Sequence, residues 1–235
     1  MIKFFRKIRY DLMKKNKTGK YLKYAIGEII LVVIGILIAL QINNWNETSK
    51  NEREQIVFLN NLKNDLNNDL IQLDQILKFQ KEKLSTVNKL KDQLFSSKDF
   101  EKIELLFAKI STSDNDTYFP NTGSYTTSVS SGKIATLNPS SLRIAITNLY
   151  ERYYYRLIYN GEIYDKRDDE VSLIRGKFFN NLTLKLISKD VIEDSEFVNL
   201  ITIVFADNSN YVKRGDETEA EILNVLKLVD QRLND

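Results

Sequence analysis

Tyrosine and arginine are concentrated in one short segment, "YERYYYRLIYNGEIYD", which begins at Tyr150. Aromatic rings beside guanidinium groups can bind sugars, amino acids, quaternary amines or single-stranded nucleic acid. The candidate ligand cleft consists of Tyr150, Arg152, Tyr153, Tyr154 and Arg156. At helical spacing, Tyr150 and Tyr154 cover a different face from Tyr153. Part of the segment is therefore expected to pack in a core or an interface.

The chain contains neither cysteine nor histidine. This excludes thiol catalysis, disulfides, zinc sites built on Cys or His, and any catalytic triad that needs imidazole. Ser130 and Lys133 have the S-x-x-K spacing of a Ser/Lys hydrolase, but one such match in a serine-rich stretch arises easily by chance. We therefore predict that the protein is not an enzyme and has no catalytic residue and no cofactor.

Two acidic clusters, "SDND" at 113–116 and "DKRDDE" at 165–170, are the remaining groups of side chains that could hold a cation. Neither cluster has the central glycine and the distal glutamate of a calcium loop. A solvated face is the simpler interpretation of both clusters, and we predict no metal site.

The composition favours helices as the scaffold for these side chains. Eight Gly and two Pro are few for 235 residues, whereas all-β proteins need many turns. We predict a mainly α fold, in which one N-terminal transmembrane helix continues into a long coiled-coil-like helix that packs in an extracytoplasmic helical bundle. The predicted divisions are a basic arm at 1–23, a transmembrane helix at 24–43 and an outer domain at 44–235.

The segment "YAIGEIILVVIGILIALQINNWNE", which begins at Tyr24, contains the apolar run that predicts the transmembrane helix. A core of ~18–20 residues, each rising ~1.5 Å, just crosses a ~30 Å hydrocarbon layer. No small-x-small cleavage site follows, so a retained anchor is favoured over a signal peptide. The alternative is a buried core helix of a soluble protein.

Charge predicts the orientation of this helix. Residues 1–23 carry nine Lys and Arg against one Asp, a net charge of +8, and such flanks stay in the cytoplasm. Trp45, beyond the other end, is typical of an interfacial aromatic belt. We therefore predict the bacterial inner (cytoplasmic) membrane, with a cytoplasmic N-terminus and a periplasmic C-terminal domain. The basic arm is either a disordered tail or an amphipathic helix on the inner leaflet, with one apolar face formed by Ile2, Phe5, Ile8 and Leu12.

Glu28 is an acid within the apolar run, about one turn from the predicted inner surface. Its side chain could snorkel to Lys20, Lys23 or lipid headgroups, pair with a basic residue of a neighbouring copy, or line an ion path. Small residues recur at multiples of four, which lets membrane helices approach closely. The predicted contacts for membrane-helix packing are Gly27, Glu28, Gly35 and Ala39.

Beyond the anchor, nothing in the sequence breaks a helix from Glu47 to about Phe95. Nine of twelve heptad seam positions in this stretch are apolar, which predicts a coiled-coil or bundle stripe. One seam position is formed by Leu59, Leu66, Leu73, Gln80, Val87 and Leu94. The other is formed by Ile56, Lys63, Leu70, Leu77, Leu84 and Lys91.

Shorter helices are predicted after this stretch. Ser and Asp caps indicate a second helix over "SSKDFEKIELLFAKI", and residues 123–131 could form another. Helical spacing returns after Pro139 and either stops at Asn160 and Gly161 or continues to Phe179. The C-terminal part predicts a short helix, a loop that contains Gly215 and a final helix.

The segment from Tyr24 to Glu47 resembles, nearly residue for residue, the N-terminal signature of an uncharacterised family of Bacteroidota membrane proteins, a domain of unknown function. "FFRKIRYDLM" before it, and "SGKIATLNPSSLRIAITNLYERY" from Ser131 to Tyr153, are similar to the same family. The resemblance implies a short cytoplasmic arm, one span and a mainly helical outer domain. It implies no catalytic residues, because the family has no assigned activity.

Three functions fit these observations. The leading hypothesis is a membrane-anchored periplasmic scaffold that self-associates, through the seam and the membrane helix, or joins an envelope complex. The alternatives are a ligand-sensing module that signals through a partner, and a small channel or ion-path subunit that uses Glu28. The expected partners are the lipid bilayer and either further copies or another envelope membrane protein. Nucleic acid is not expected, because residues 24–235 are net acidic and the outer domain, 44–235, is predicted to lie outside the cytoplasm.

Overall fold

One helix, α1, begins at Thr18 and ends at Asp92 in the computed structural model. Its sequence contains neither proline nor a glycine after Gly35, so no residue removes a backbone donor or favours a turn. The prediction that the apolar helix continues into a long bundle helix is confirmed, and so is the mainly α fold.

The structure describes Arg6, Tyr10 and the residue ranges 18–112 and 115–234. The four residues predicted for the apolar face of the arm, Ile2, Phe5, Ile8 and Leu12, lie outside the described residues, whereas residues 18–23 of the predicted arm belong to α1. The contacts divide the chain into two units, Met1–Ile56 and Val57–Asp235.

The first unit contains the apolar segment of α1. An 18-residue window there has a mean hydropathy of 2.6, and none of it is buried. Side chains such as Ile29 and Leu31 are 63% and 59% exposed, unlike those of a helix in a soluble core. By its length and composition this helix could cross a membrane.

One of the two positions of the predicted seam of α1 is buried within the chain itself. The first seam position, from Leu59 to Leu94 in steps of seven, is 0–4% exposed throughout. At the second position Leu77 is buried, whereas Ile56 is 40% exposed. The first seam position therefore packs against other helices of the same chain, whereas most of the second position is half-buried or exposed. Association of copies through the seam stays a prediction.

A π-helical turn, Gln93–Ser97, follows α1 directly. The next residue, Lys98, has a left-handed backbone with φ of 51°. Asp99 then caps α2 (Phe100–Ser111), because its carboxylate accepts a hydrogen bond from the Lys102 N–H at 3.3 Å. The predicted second helix and its Asp cap are confirmed.

The middle of the chain forms four helices and a second π-helical turn. They are α3 (Gly123–Ser130), α4 (Lys133–Thr136), α5 (Ser140–Asn148), the π-helical turn Leu149–Tyr154 and α6 (Tyr155–Arg175). Gly161 lies inside α6 rather than ending it. A Cβ at this position would lie 3.4 Å from Thr117 Cβ, which is an ordinary van der Waals distance.

A small hairpin and a long helix complete the chain. Strands β1 (Phe179–Asn180) and β2 (Lys185–Leu186) pair in antiparallel register, and a 3-10 helix, Lys189–Glu193, follows. The last helix, α7, runs unbroken from Ser195 to Asn234.

The predicted loop at Gly215 is wrong, because this residue lies in the middle of α7. A Cβ on Gly215 would lie 2.4 Å from Leu77 Cδ2, a distance that no packed pair of carbons tolerates. The absence of a side chain at Gly215 therefore allows α7 to approach α1 closely. Glycine inside a helix is less favourable than alanine by ~1 kcal/mol.

Two apolar clusters form the interior of Val57–Asp235. The first joins α1 residues such as Leu66 and Leu73 to α5, α6 and the second half of α7. The second joins Val87 and Leu90 to α2, the hairpin and the start of α7.

A buried polar layer separates the two clusters along both α1 and α7. Gln80 of α1 and Asn208 of α7 are both 0% exposed. Gln80 Oε1 accepts hydrogen bonds from Asn208 Nδ2 at 2.6 Å and from the Tyr164 hydroxyl at 3.2 Å. Since any slip of one helix would leave these groups unpaired, the layer fixes the register of α1 against α7.

Candidate functional site

The π-helical turn Leu149–Tyr154 is the local feature around which the candidate site is built. A π-helical turn holds an extra residue and is frequently found at functional sites. Tyr150 and Tyr154 of this turn are 6% and 1% exposed. Arg152 is exposed and Tyr153 half-buried. The turn therefore sends one pair of side chains into the core and another pair to the surface.

The inner face of the turn is held by a buried carboxylate on α1. Asp69 is 1% exposed, and its Oδ2 accepts a hydrogen bond from the Tyr154 hydroxyl at 2.8 Å. Asp69 Oδ1 accepts two further bonds, from the backbone N–H and the Nδ2 of Asn121, both at 2.7 Å. Tyr150 donates to the Asn121 carbonyl at 3.3 Å. One carboxylate thus joins α1, the segment before α3 and the π-helical turn.

Asp69 belongs to a row of acceptors on α1 that hold the irregular segment before α3. The Phe119 N–H donates to Gln72 Oε1 at 3.1 Å, and the Ser124 N–H donates to Asp65 Oδ2 at 3.4 Å. These three α1 residues are spaced for one helix face. Their side chains replace the backbone partners that are missing in this non-helical segment and in the first turn of α3, where Ser124 lies.

Burial perturbs the titration of this inner network. Loss of hydration raises the pKa of Asp69, while its bonds from Asn121 and Tyr154 work in the opposite direction. Burial also raises the pKa of Tyr125 to about 12, helped by its hydrogen bond to Glu151 at 2.9 Å. Tyr125 stacks on Tyr150 with ring centroids 4.2 Å apart. The tyrosines of this network are neutral hydrogen-bond donors at ordinary pH.

The outer face of the turn lines a groove of about 500 Å³. Arg152 and Tyr153 of the π-helical turn, with Arg156 of α6, form one wall. The other wall belongs to α7 and consists of Arg214, Glu217, Thr218, Ala220 and Glu221. This volume is in the usual range of small-molecule sites, ~300–1,000 Å³.

The two walls of the groove differ in how their charges are balanced. On α7, Arg214 Nη1 pairs with Glu217 Oε2 at 2.8 Å, and Glu221 Oε1 accepts a hydrogen bond from Asn224 Nδ2 at 3.2 Å. On the other wall, the Arg152 guanidinium lies 5.9 Å from the Tyr153 ring centroid. Within the described ranges, neither Arg152 nor Arg156 forms an ion pair.

Three of the five residues predicted for the ligand cleft lie in the groove, and two do not. Arg152, Tyr153 and Arg156 line the groove. Tyr150 and Tyr154 do not, because both are buried in the first apolar cluster. The expectation that part of the tyrosine segment packs in the core holds for these two residues.

Three charged groove residues, Arg214, Glu217 and Glu221, were not among the sequence candidates. They lie about sixty positions beyond the tyrosine segment, so only the packing of α6 on α7 brings them near Arg152. Their spacing of three and four residues places them on one helix face, which is a signal that the sequence does contain.

Lys83 is a second charged group that sequence reasoning missed. The heptad pattern places it away from the seam, yet it is 6% exposed. Burial lowers the pKa of Lys83, opposed by Asp168 at 3.9 Å, and its Nζ lies 5.4 Å from the Tyr164 ring centroid. The hollow that Lys83 lines has a volume of about 100 Å³, which is smaller than a usual small-molecule site. We therefore interpret the contact between Lys83 and Asp168 as part of the packing of the bundle.

The acidic cluster at 165–170 is more than a solvated face. Asp165 accepts hydrogen bonds from Asn115 Nδ2 at 2.8 Å and from the Thr117 hydroxyl at 3.1 Å, and Arg167 pairs with Asp207. In the cluster at 113–116, Ser113 and Asp114 lie outside the described residues. Among the residues that the structure describes, no group of three acidic side chains could hold a metal ion.

The residues predicted for the membrane helix all lie on α1 in the first unit. A Cβ on Gly27 or Gly35 would meet nothing within 4 Å, and Ala39 is exposed. Glu28 is half-buried, and Trp45 is 73% exposed. Their predicted roles in helix packing, in a polar contact and at the interface stay predictions. The weak hydrolase pair, Ser130 and Lys133, consists of two exposed residues.

Comparison with known proteins identifies a family whose function is unknown. A family of unknown function, DUF6090, matches residues 28–209. No curated protein and no solved structure gives a significant match to the chain. The groove is therefore interpreted from its own residues.

Proposed function

For a chain that belongs to DUF6090, a family of unknown function, we propose the role of a membrane-anchored ligand-binding module of the bacterial envelope. In this proposal the outer domain takes a small charged molecule into the groove between Arg152, Tyr153 and Arg156 on one wall and α7 on the other. One observation carries it: two guanidinium groups that form no ion pair with a carboxylate of the described residues line a cavity of about 500 Å³.

The charges of the groove favour binding over structural packing. The opposite wall, on α7, offers two carboxylates, Glu217 and Glu221. Glu217 is paired with Arg214 instead, which leaves Arg152 and Arg156 as donors for something else. Arginine is the usual residue for recognising carboxylates and phosphates, because its donors form a rigid fork.

The anchor and its direction form the second part of the proposal. The apolar segment of α1 is long enough to cross a bilayer, and the +8 arm before it favours a cytoplasmic N-terminus. The resemblance to Bacteroidota membrane proteins supports the inner membrane and a periplasmic outer domain.

The orientation is tested by cysteine labelling in intact spheroplasts, since the natural chain contains no cysteine. We expect a membrane-impermeant maleimide to label Ser49→Cys and to leave Thr18→Cys unlabelled until the membrane is permeabilised. The opposite labelling pattern would reverse the proposed topology.

Ligand binding is tested with the full chain in nanodiscs, by thermal unfolding against a library of small metabolites. A ligand at about 100 times its Kd stabilises the folded state by ~2.7 kcal/mol. We expect at least one compound to stabilise the wild type but not the double variant Arg152→Gln, Arg156→Gln. Lys166→Gln, which removes a positive charge from an exposed position of α6 outside the groove, is the matched control. If the compounds stabilise the wild type and the double variant equally, the groove is not the site.

A scaffold role is the second candidate, and a different observation favours it. The hairpin loop presents Leu182 at 96% exposure, and Leu173 at the end of α6 is 81% exposed. Exposed leucines are common singly, but they are also the side chains that partner proteins cover. Since the first seam position is buried within the chain, such residues and the membrane helix are the surfaces that we propose for association. Cross-linking in native membranes tests this: a specific product lost in Leu182→Asn supports the scaffold, and its absence removes it.

A further inference from the structure

We infer that the groove takes a zwitterion about the size of a short peptide, with its carboxylate against Arg152 and Arg156 and its ammonium group against Glu221. This inference rests on the proposed function, because it names the chemical class that the same groove would bind.

The carboxylate end follows from the wall formed by the π-helical turn and α6. Arg152 and Arg156 are four positions apart, and both line the groove. The guanidinium fork matches a carboxylate with two parallel hydrogen bonds. No carboxylate of the described residues neutralises either arginine by an ion pair, so a ligand anion would be their first charged partner.

The ammonium end follows from the opposite wall. Glu217 is already neutralised by Arg214 at 2.8 Å, so Glu221 is the carboxylate that remains on α7 in this groove. Its Oε1 accepts a hydrogen bond from Asn224 at 3.2 Å, while Oε2 has no donor among the residues that the structure describes. A positively charged donor on the ligand would satisfy it.

The same acidic wall argues against phosphate as the ligand. A phosphate group carries about −1.5 to −2 charges at pH 7, and in this groove it would face Glu221. A carboxylate brings a single negative charge, and the ammonium group of the same molecule compensates the glutamate. Charge complementarity of this kind determines which partner is accepted.

The size of the groove points to more than a simple ion. About 500 Å³ is enough for a ligand of many heavy atoms. Tyr153 and Ala220, which line the groove as well, add apolar surface against which the middle of a peptide could pack. Trialanine is therefore a suitable probe, because it has both charged ends and only small side chains.

The test uses isothermal titration of the full chain in nanodiscs with four probes: trialanine, N-acetyl-trialanine, trialanine amide and inorganic phosphate. We expect trialanine to bind, and blocking either end to weaken binding about tenfold or more, as for the loss of a charged hydrogen bond. Phosphate should bind more weakly than trialanine.

Two variants assign the ends of the ligand. In the double variant Arg152→Gln, Arg156→Gln, trialanine and its amide should bind with similar, weakened affinity. In Glu221→Gln, trialanine and its N-acetyl form should do so. The matched controls are Lys166→Gln and Glu162→Gln, which remove one charge each from exposed positions of α6 outside the groove and should retain wild-type discrimination.

The outcomes separate this inference from the proposed function. If phosphate or the amide binds as well as trialanine, the zwitterion is excluded. If trialanine fails at millimolar concentration while a library compound binds through Arg152 and Arg156, the proposed function stands and the ligand class is wrong. If neither trialanine nor any library compound binds, both are overturned.

Discussion

The inner and outer faces of the π-helical turn use polar side chains in opposite ways. On the inner face, Tyr154 and Tyr150 are buried, and their hydroxyls donate to Asp69 and to the Asn121 carbonyl. On the outer face, the Arg152 guanidinium lies 5.9 Å from the Tyr153 ring centroid, and neither Arg152 nor Arg156 has an ion-pair partner among the described residues. Inner polar groups order the fold, because an unpaired buried group costs free energy. Outer cations can remain unpaired at little cost, because water solvates them.

The largest effect is expected where the inner network loses its acceptor. Asp69→Ala would leave two donors of Asn121 and the Tyr154 hydroxyl without their partner. We expect the free energy of unfolding to fall by about 3–5 kcal/mol, measured by urea unfolding of the full chain in detergent. Asp74→Ala, an exposed acid on the same helix, should change it by less than ~0.5 kcal/mol. Equal effects of the two variants would contradict the difference between inner and outer faces.

A smaller effect is expected on α7, where the inner residue Gly215 adjoins the groove residue Arg214. Gly215→Ala would put a Cβ 2.4 Å from Leu77 Cδ2. Overpacking of this kind costs ~1–3 kcal/mol, and the gain in helix propensity returns at most ~1 kcal/mol. We expect a net loss in the same urea experiment, and a partial rescue in the double variant Gly215→Ala, Leu77→Ala. If Gly215→Ala proves stabilising, the glycine is not needed for close packing.

The third prediction concerns pH. The folded chain raises the pKa of Asp69 above its unfolded value, so protonation of this group favours folding. Its contribution to stability is complete below the unfolded pKa, ~3.9, and is lost as the pH rises through the folded pKa. The stability of the wild type relative to Asp69→Asn should therefore increase as the pH falls from about 7 towards 4. The slope is at most ~1.4 kcal/mol per pH unit. A difference that decreases on acidification would mean that the hydrogen bonds outweigh the effect of burial.

The smallest effect on stability is expected on the outer face. The double variant Arg152→Gln, Arg156→Gln removes two cations that have no ion-pair partner in the described structure. We expect a change in the free energy of unfolding within about 0.5 kcal/mol, while ligand binding is lost. A destabilisation above ~1 kcal/mol in urea would show that these arginines belong to the inner network after all.

The helical parts of the fold could be predicted because they depend on local and periodic signals. The stripe from Leu59 to Leu94 is apolar at every seventh position except Gln80, and all six positions are buried. The Asp99 cap was readable for the same reason. Gly215 misled the prediction, because a glycine that provides room for a neighbouring helix looks, in sequence, like one that makes a turn.

Only one wall of the candidate site could be predicted from the sequence. Arg152, Tyr153 and Arg156 stood out through their density in one segment, whereas Arg214 and Glu221 are ordinary charges on a long helix until α7 packs against α6.

The seam shows what a periodic pattern cannot predict. A heptad pattern indicates that a face will be buried, but it does not say whether the cover comes from another chain or from the same one.

The row of acceptors on α1 has a consequence for hydrogen exchange. The amides of Phe119 and Asn121 lie outside any helix or strand, and such amides ordinarily exchange fast. Here their protons are held by Gln72 and Asp69, 47 and 52 positions earlier in the chain. These protons can be released only when the segment separates from α1, so their exchange reports a cooperative opening rather than local fraying. In a deuterium-exchange experiment, a stretch without regular structure should therefore lose its protons with the slow rates of the surrounding helices.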